Sequence, residues 1–345
     1  MVGQSVDRQE RLEYIDLFRA FGILCMIMGH IHFGSVFDKW IHAFHMPMFF
    51  FISGWFFKND RRVPYSSLVL RKAKKLLRPY LIFEFALWFV CMIFLKEYRS
   101  AQAIGHILWE NTYKIPVESG VSGISPVPGA MWFLTAIFLA EAIYLLLDQV
   151  LGCNWKLHTA VILLVIIGML SPAVLPFRLP WAADAAMVGI GFFHLARMVR
   201  GSRAEDLLHL KLWQALALGL LISVSIMLCP KINMRTGSYG WYLPFWVNAA
   251  GAIAAGWNLS RYLETALRKS RLLSSVSCWL KGVGKNSIVY LCLNQICILL
   301  VVKVLSDLGI RGAASKILIL LLTMLLLFCF EKLICSTKLR VIIGK

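Results

Sequence analysis

Residues 14–30 read YIDLFRAFGILCMIMGH, an apolar run that carries a carboxylate at Asp16, a guanidinium at Arg19 and an imidazole at His30. On a helix, Arg19 and His30 are separated by about three turns plus 20°, so they share one face roughly 16 Å apart along the axis. Asp16 lies one turn below Arg19 on that face and is its natural ion-pair partner. An ionised group at membrane depth is costly unless it is paired or faces water, so a stripe of three implies an interior polar path. A neutral histidine on such a path is suited to take a proton from a weak nucleophile.

A second group follows in IHAFHMPMFFFISGWFF (41–57), where His42 and His45 begin on the side that His30 reaches; with His32, half of the chain's eight histidines fall between positions 30 and 45. Imidazole is the commonest metal ligand, but His30 and His32 point about 200° apart on a helix, and no acid or thiol ligand accompanies them. The cluster therefore reads as a proton-transfer site with no metal.

The elements that must hold these residues are lipid-embedded. The chain is 59% hydrophobic and 16% charged, with a mean hydropathy of +0.71, values that exclude a soluble globule. Mostly apolar tracts recur near 15–33, 42–57, 79–95, 130–151, 158–176, 180–199, 207–229, 241–260, 286–306 and 314–336. Backbone groups in lipid must be paired internally, and tracts without two-residue alternation specify helices rather than a barrel. The expectation is an all-α polytopic transmembrane bundle of about ten spans, one membrane-embedded domain over 1–345 with no appended soluble domain. The charged start MVGQSVDRQERLEYID rules out a cleavable signal peptide.

Of the 36 Lys and Arg residues, 25 fall in the loops on the N-terminal side and 10 on the other, with Arg19 inside the first span; both termini are thus expected to be cytoplasmic. The net charge of +18 then faces anionic lipid and needs no nucleic acid. Nine cysteines without a CxxC pair read as small apolar fillers. One cluster exceeds what orientation requires: KNDRRVPYSSLVLRKAKKLLRPY (58–80) holds eight basic residues against Asp60 alone. On a helix Arg71, Lys74, Lys75 and Arg78 share a face with Lys72 at its edge, a stripe fit for phosphates or for anionic headgroups.

Arg19, ten intervening residues and His30 resemble the R-X10-H signature of the acyltransferase-3 family of membrane O-acyltransferases. FHMPMFFFISGWFF (44–57), RKAKKLLRPY (71–80), MWFLTAIFLAE (131–141) and GKNSIVYLCLNQ (284–295) are similar to its later blocks, in the same order. Two positions depart from the pattern. Lys72 and Lys75 stand where many relatives have R-x-x-R, keeping charge without the bidentate fork, and Asn294 stands where many have histidine.

The resemblance implies transfer of an acyl group, usually acetyl, from cytoplasmic acetyl-CoA to a sugar hydroxyl across a bacterial inner membrane. His30 is then the base, or the carrier of a covalent acetyl group, with Arg19, Asp16 and Glu141 assisting. Glu141, a lone intramembrane carboxylate, is expected to orient His30 or Arg19, the other reading being that it caps a buried water. Arg71, Lys72, Lys75 and Arg78 would bind coenzyme A, and His45, Ser53, Trp132 and Asn294 the acceptor, Trp132 with Phe133 offering a platform for a sugar ring. Some relatives carry an extra SGNH esterase-like domain, so without one the membrane domain completes the reaction alone or passes the acyl group to a polysaccharide-biosynthesis partner. The rival is a secondary transporter or a flippase for a lipid-linked oligosaccharide, in which the same polar stripe lines a path; internal repeats would favour it, and the sequence has none.

Overall fold

The computed structural model describes residues 2–90, 92, 93, 129–269, 271–310 and 312–344. The C-terminal end of the 79–95 tract and the expected outer loop that follows it lie largely outside the described residues. Among the described residues the regular structure is helical, with a lone β-bridge between Asn233 and Ser238. The helices are α1 (Val2–Ile31), α2 (Ser35–His42), α3 (His45–Trp55), α4 (Tyr65–Val90), α5 (Trp132–Leu151), α6 (Trp155–Val174), α7 (Ala183–Val199), α8 (Leu212–Leu228), α9 (Tyr242–Leu267), α10 (Arg271–Lys285), α11 (Ser287–Asp307) and α12 (Ala313–Ser336).

Six stretches among the described residues are long and apolar enough to cross a membrane, rather than about ten: Glu13–Ile31, Trp132–Leu151, Trp155–Val174, Pro180–Val199, Ser287–Asp307 and Ser315–Ser336. The difference has local causes. The 42–57 tract breaks at Ala43–Phe44, and the 11-residue α3 that follows covers only about half a hydrocarbon core. In α4 the basic stripe occupies the first half of the helix, and Pro79 sits inside it. The apolar α8 has 17 residues, and α9 dilutes its length with Asn248, Asn258, Arg261 and Glu264. The expected loop before residue 286 is instead α10, an amphipathic helix laid along α1.

Helix α1 is the hub, packing against α3, α9, α10 and α11. Its span is 67% buried, whereas that of α6 is 28% buried and presents Ile162, Leu163, Ile166 and Ile167 outward, as a peripheral helix in lipid should. The α10–α11 junction meets α1 at Gly284, where an added Cβ would collide with the backbone oxygen of Asp16. Gly284→Ala should therefore lower the melting temperature, overpacking of this kind costing about 1–3 kcal/mol, and a thermal-shift measurement in detergent checks it. Close by, Glu13 and Glu264 each accept hydrogen bonds from Lys281 (2.8 and 3.1 Å) and pair with Arg268 (3.0 and 2.6 Å), clamping α1, α9 and α10. Burial works against the Lys281 ammonium, but these two carboxylates hold it above the usual lysine range.

Candidate active site

The predicted polar stripe of α1 opens onto two cavities, one at each end. At its C-terminal end a cavity of about 340 Å³ is bounded by His30 and Met26 of α1, His42, His45 and Met46 of α2 and α3, Trp132 of α5, Gln295 of α11, and Lys231 and Arg235 from the α8–α9 loop. Gly29 makes the α1–α2 approach possible, since a Cβ there would lie 2.8 Å from Ile41 Cδ1. His42 and His45 each place Nδ1 2.6 Å from a backbone carbonyl, of Asp38 and Ile41 respectively. A carbonyl only accepts, so each Nδ1 carries the proton and each Nε2 is left as an acceptor. Among the described residues no hydrogen bond holds the His30 ring, which leaves it able to turn toward a bound group.

Arg235 enters this cavity on a braced loop. The Asn233 side chain accepts from the backbone N–H groups of Arg235 (3.0 Å) and Thr236 (3.4 Å), and Asn233 and Ser238 exchange two backbone hydrogen bonds. Arg178, paired with Asp184 at 2.5 Å, donates to the Arg235 carbonyl at 2.8 Å. Burial lowers the Arg235 guanidinium to about 10, with the charge of Glu84 opposing the shift, so it stays protonated near neutral pH. Glu84 itself is fully buried in α4, and neither of its carboxylate oxygens has a hydrogen-bond partner among the described residues.

At the other end a cavity of about 250 Å³ gathers Arg19, Ser53, Lys75, Glu141, Lys285 and Asn286, with Ile343 and Gly344 near the C terminus. Asp16 accepts from Arg19 at 2.9 Å, as the spacing requires. Glu141 accepts from Ser53 Oγ and from Lys72 Nζ, the latter at 2.6 Å, and Lys72 also lies 5.7 Å from the centre of the Phe57 ring. Of the two partners expected for Glu141, His30 or Arg19, its carboxylate lies in the cavity of Arg19, where it ties α3, α4 and α5 together.

Between the cavities lies a thin septum. Four helices line both chambers with residues one turn apart or less: Ile23 and Met26 on α1, Phe49 and Met46 on α3, Phe133 and Trp132 on α5, Leu291 and Gln295 on α11, the first of each pair facing the arginine end. One turn is about 5.4 Å of rise, so the partition is a single layer of side chains. Phe133 stacks obliquely on Phe49 (5.7 Å) and edge-on to Phe50 (5.2 Å), which fills that layer.

A family model, that of an acyltransferase domain, matches residues 12–331. The chain belongs to the acyltransferase-3 family. Comparisons with curated proteins and with solved structures returned no match. With its apolar helices, the chain is an integral membrane acyltransferase. The matched range takes in every residue that the acyltransferase brings to its two cavities except the C-terminal pair Ile343 and Gly344.

Within the acyltransferase, His45 and Trp132 do reach the histidine cavity, whereas Ser53 lies at the arginine end. Asn294 reaches neither. It is wholly buried, donates at 2.5 Å to the Leu291 carbonyl, and its neighbour Gln295 takes the cavity wall, because one residue turns a helix by 100°. Gln295→Ala should accordingly raise KM for the acceptor several-fold with the protein still folded, while Asn294→Ala should act on stability; initial rates and melting curves of the two variants check this. The basic stripe also divides. Lys72 and Lys75 turn to the site, Arg71 is exposed, and Arg78 donates to the Val341 carbonyl at 3.2 Å. The residues that sequence reading missed are Glu84, Lys231, Arg235 and Gln295. Glu84 could have been flagged as a lone intramembrane carboxylate. Arg235 and Lys231 were visible only as loop charges.

Proposed function

We propose that this acyltransferase moves an acetyl group from cytoplasmic acetyl-CoA, received at the arginine cavity, to a sugar hydroxyl held in the histidine cavity on the opposite side of the membrane. The observation that carries the reading is the pair of cavities on one face of α1, with Arg19 in one, His30 in the other and one layer of side chains between them. The orientation rests on the charge asymmetry of the loops, with both termini cytoplasmic, and the setting is a bacterial inner membrane. The remaining apolar tracts complete about ten crossings, α3 with α2 and α8 being short or broken ones.

The chemistry follows from the two linings. Arg19, braced by Asp16, and Lys75 are cations for a donor that carries phosphates, and Arg19 faces the point where a thioester arm would approach the septum. In the histidine cavity the His30 ring accepts the proton of the acceptor hydroxyl as the oxygen attacks the acyl carbon; the C–O bond forms, the C–S bond breaks and the thiolate leaves toward the arginine side. Arg235, fixed by its loop and charged near neutral pH, stands where negative charge develops on the carbonyl oxygen. Transfer through an acetyl-His30 intermediate uses the same groups. Trp132 supplies an apolar face for a sugar ring. The acceptor is a surface polysaccharide or its lipid-linked precursor, delivered by polysaccharide-biosynthesis partners.

Membranes containing the protein, supplied with radiolabelled acetyl-CoA, should place label in the polysaccharide. Movement of the glycan precursor across the membrane without acetylation would overturn this reading in favour of a transporter. In the same assay Lys75→Gln should raise KM for acetyl-CoA several-fold, less so at higher salt, with unchanged expression; an unchanged KM would make the stripe a membrane anchor.

A further inference from the structure

A second hollow, about 460 Å³ in volume, adjoins the arginine cavity at the same end of α1 and has no role in the route above. Its walls combine flat aromatic side chains, Tyr14, Trp55, Phe56 and Trp257, with two cations, Lys58 and Arg200. Trp257 is only 1% exposed and is wedged edge-on between Tyr14 (5.6 Å) and Trp55 (4.9 Å), so its position is set by packing. Arg200 donates to the Trp55 carbonyl at 2.6 Å and sits 5.8 Å from the centre of its ring, which brings a positive charge to the edge of the aromatic surface. Glu205, the acid in this lining, accepts from the Gly201 backbone N–H at 2.6 Å and closes the turn after α7. Phe56 is common ground: it lines this hollow, and the Arg19 guanidinium that lines the arginine cavity lies 5.3 Å from the centre of its ring.

Aromatic faces hold heterocyclic bases by stacking, and lysine with arginine hold phosphates by charge-assisted hydrogen bonds. A lipid headgroup would use the cations but has no use for an enclosed set of tryptophans. We infer that this hollow binds the adenine nucleotide end of the donor, the base against the half-buried Phe56 and Trp55, the latter backed by Trp257 and Tyr14, and the 3′-phosphate at Lys58 and Arg200, with the pyrophosphate and thioester arm running past Arg19 and Lys75 into the arginine cavity. The assignment rests on the reading of the donor as a coenzyme A thioester. It separates nucleotide recognition from the stripe on α4, of which only Lys75 is left to meet the arm.

The test is binding of adenosine 3′,5′-bisphosphate to the purified full-length protein in lipid nanodiscs, measured by calorimetry. Saturable binding displaced by coenzyme A is expected, about tenfold weaker in Arg200→Gln and in Trp55→Leu and regained in Trp55→Phe. Lys58→Gln, at an exposed position, gives a second cation variant that leaves the packing intact. Absence of binding to the unmodified protein, binding indifferent to all these changes, or equal displacement by inorganic pyrophosphate would each overturn the assignment, the last by reducing it to charge alone. In turnover, the preference for acetyl-CoA over the nucleotide-free donor S-acetyl-N-acetylcysteamine should fall about tenfold in Arg200→Gln, and an unchanged preference also overturns it. A protein that binds the bisphosphate but acylates from neither thioester retains the nucleotide site and loses the proposed reaction.

Discussion

His30→Ala should reduce acyl transfer by about 10²–10⁴-fold while the protein still inserts and melts as before, the range expected when a general base is removed. The two halves of this expectation have separate grounds. No hydrogen bond fixes the ring among the described residues, and an uncharged replacement in a half-buried position removes little packing, so stability should change little. The proton acceptor, by contrast, has no substitute on α1. His32, His42 and His45 also line the cavity, but His32 sits 3.6 Å from Asp38. The anchoring of His42 and His45 through Nδ1 fixes where their accepting Nε2 atoms point, so neither ring turns to take the place of His30. Comparison of product formation at matched protein levels decides the matter, and near-normal turnover in His30→Ala would sink the mechanism.

Arg19→Gln is expected to raise KM for acetyl-CoA by about 10–10²-fold, the loss of one charge-assisted hydrogen bond to the donor. It should also destabilise the protein, because Asp16 loses its 2.9 Å partner. The pair is 30% and 21% exposed, so the loss should fall below the about 3–5 kcal/mol of a fully buried bridge. Adding Asp16→Asn separates the two effects. The double variant should regain the melting temperature of the unmodified protein and keep the raised KM, whereas recovery of KM with stability would reduce Arg19 to a structural anchor.

The features read correctly from sequence are those governed by the geometry of one helix. The Asp16–Arg19 contact, the shared face of Arg19 and His30, and the interior placement of α1 all follow from 3.6-residue periodicity and the cost of bare charge in lipid. Elsewhere one helix is not enough. Which of its two expected partners Glu141 joins is decided by Lys72 and Ser53, which arrive from α4 and α3 and hold it at the arginine end. Asn294 missed the cavity by one residue because the rotation of α11 is set by its packing against α1, α4 and α12. The stretch 271–285 read as a cationic loop because its apolar residues are too few for a span; its amphipathic character has meaning only beside α1. The stretches of full span length among the described residues are fewer than the apolar tracts for a related reason. Apolar composition over 42–57 does not reveal that the backbone turns at Ala43 and Phe44 to bring His42 and His45 to the same chamber.

The single-layer septum has a consequence for the cell as a whole. Two water-accessible chambers that face each other across one turn of helix would, if joined, short-circuit the proton-motive force that the membrane stores. On the proposed route Ile23, Met26, Phe49, Phe133 and Trp132 would form an insulator that parts for a two-carbon group and stays shut to ions. Such a gate also measures what it admits. On that route a short acyl unit would pass by small rotations of methionine and phenylalanine side chains and a long one would find no room, so chain-length selection and electrical tightness would be one property of the same few residues.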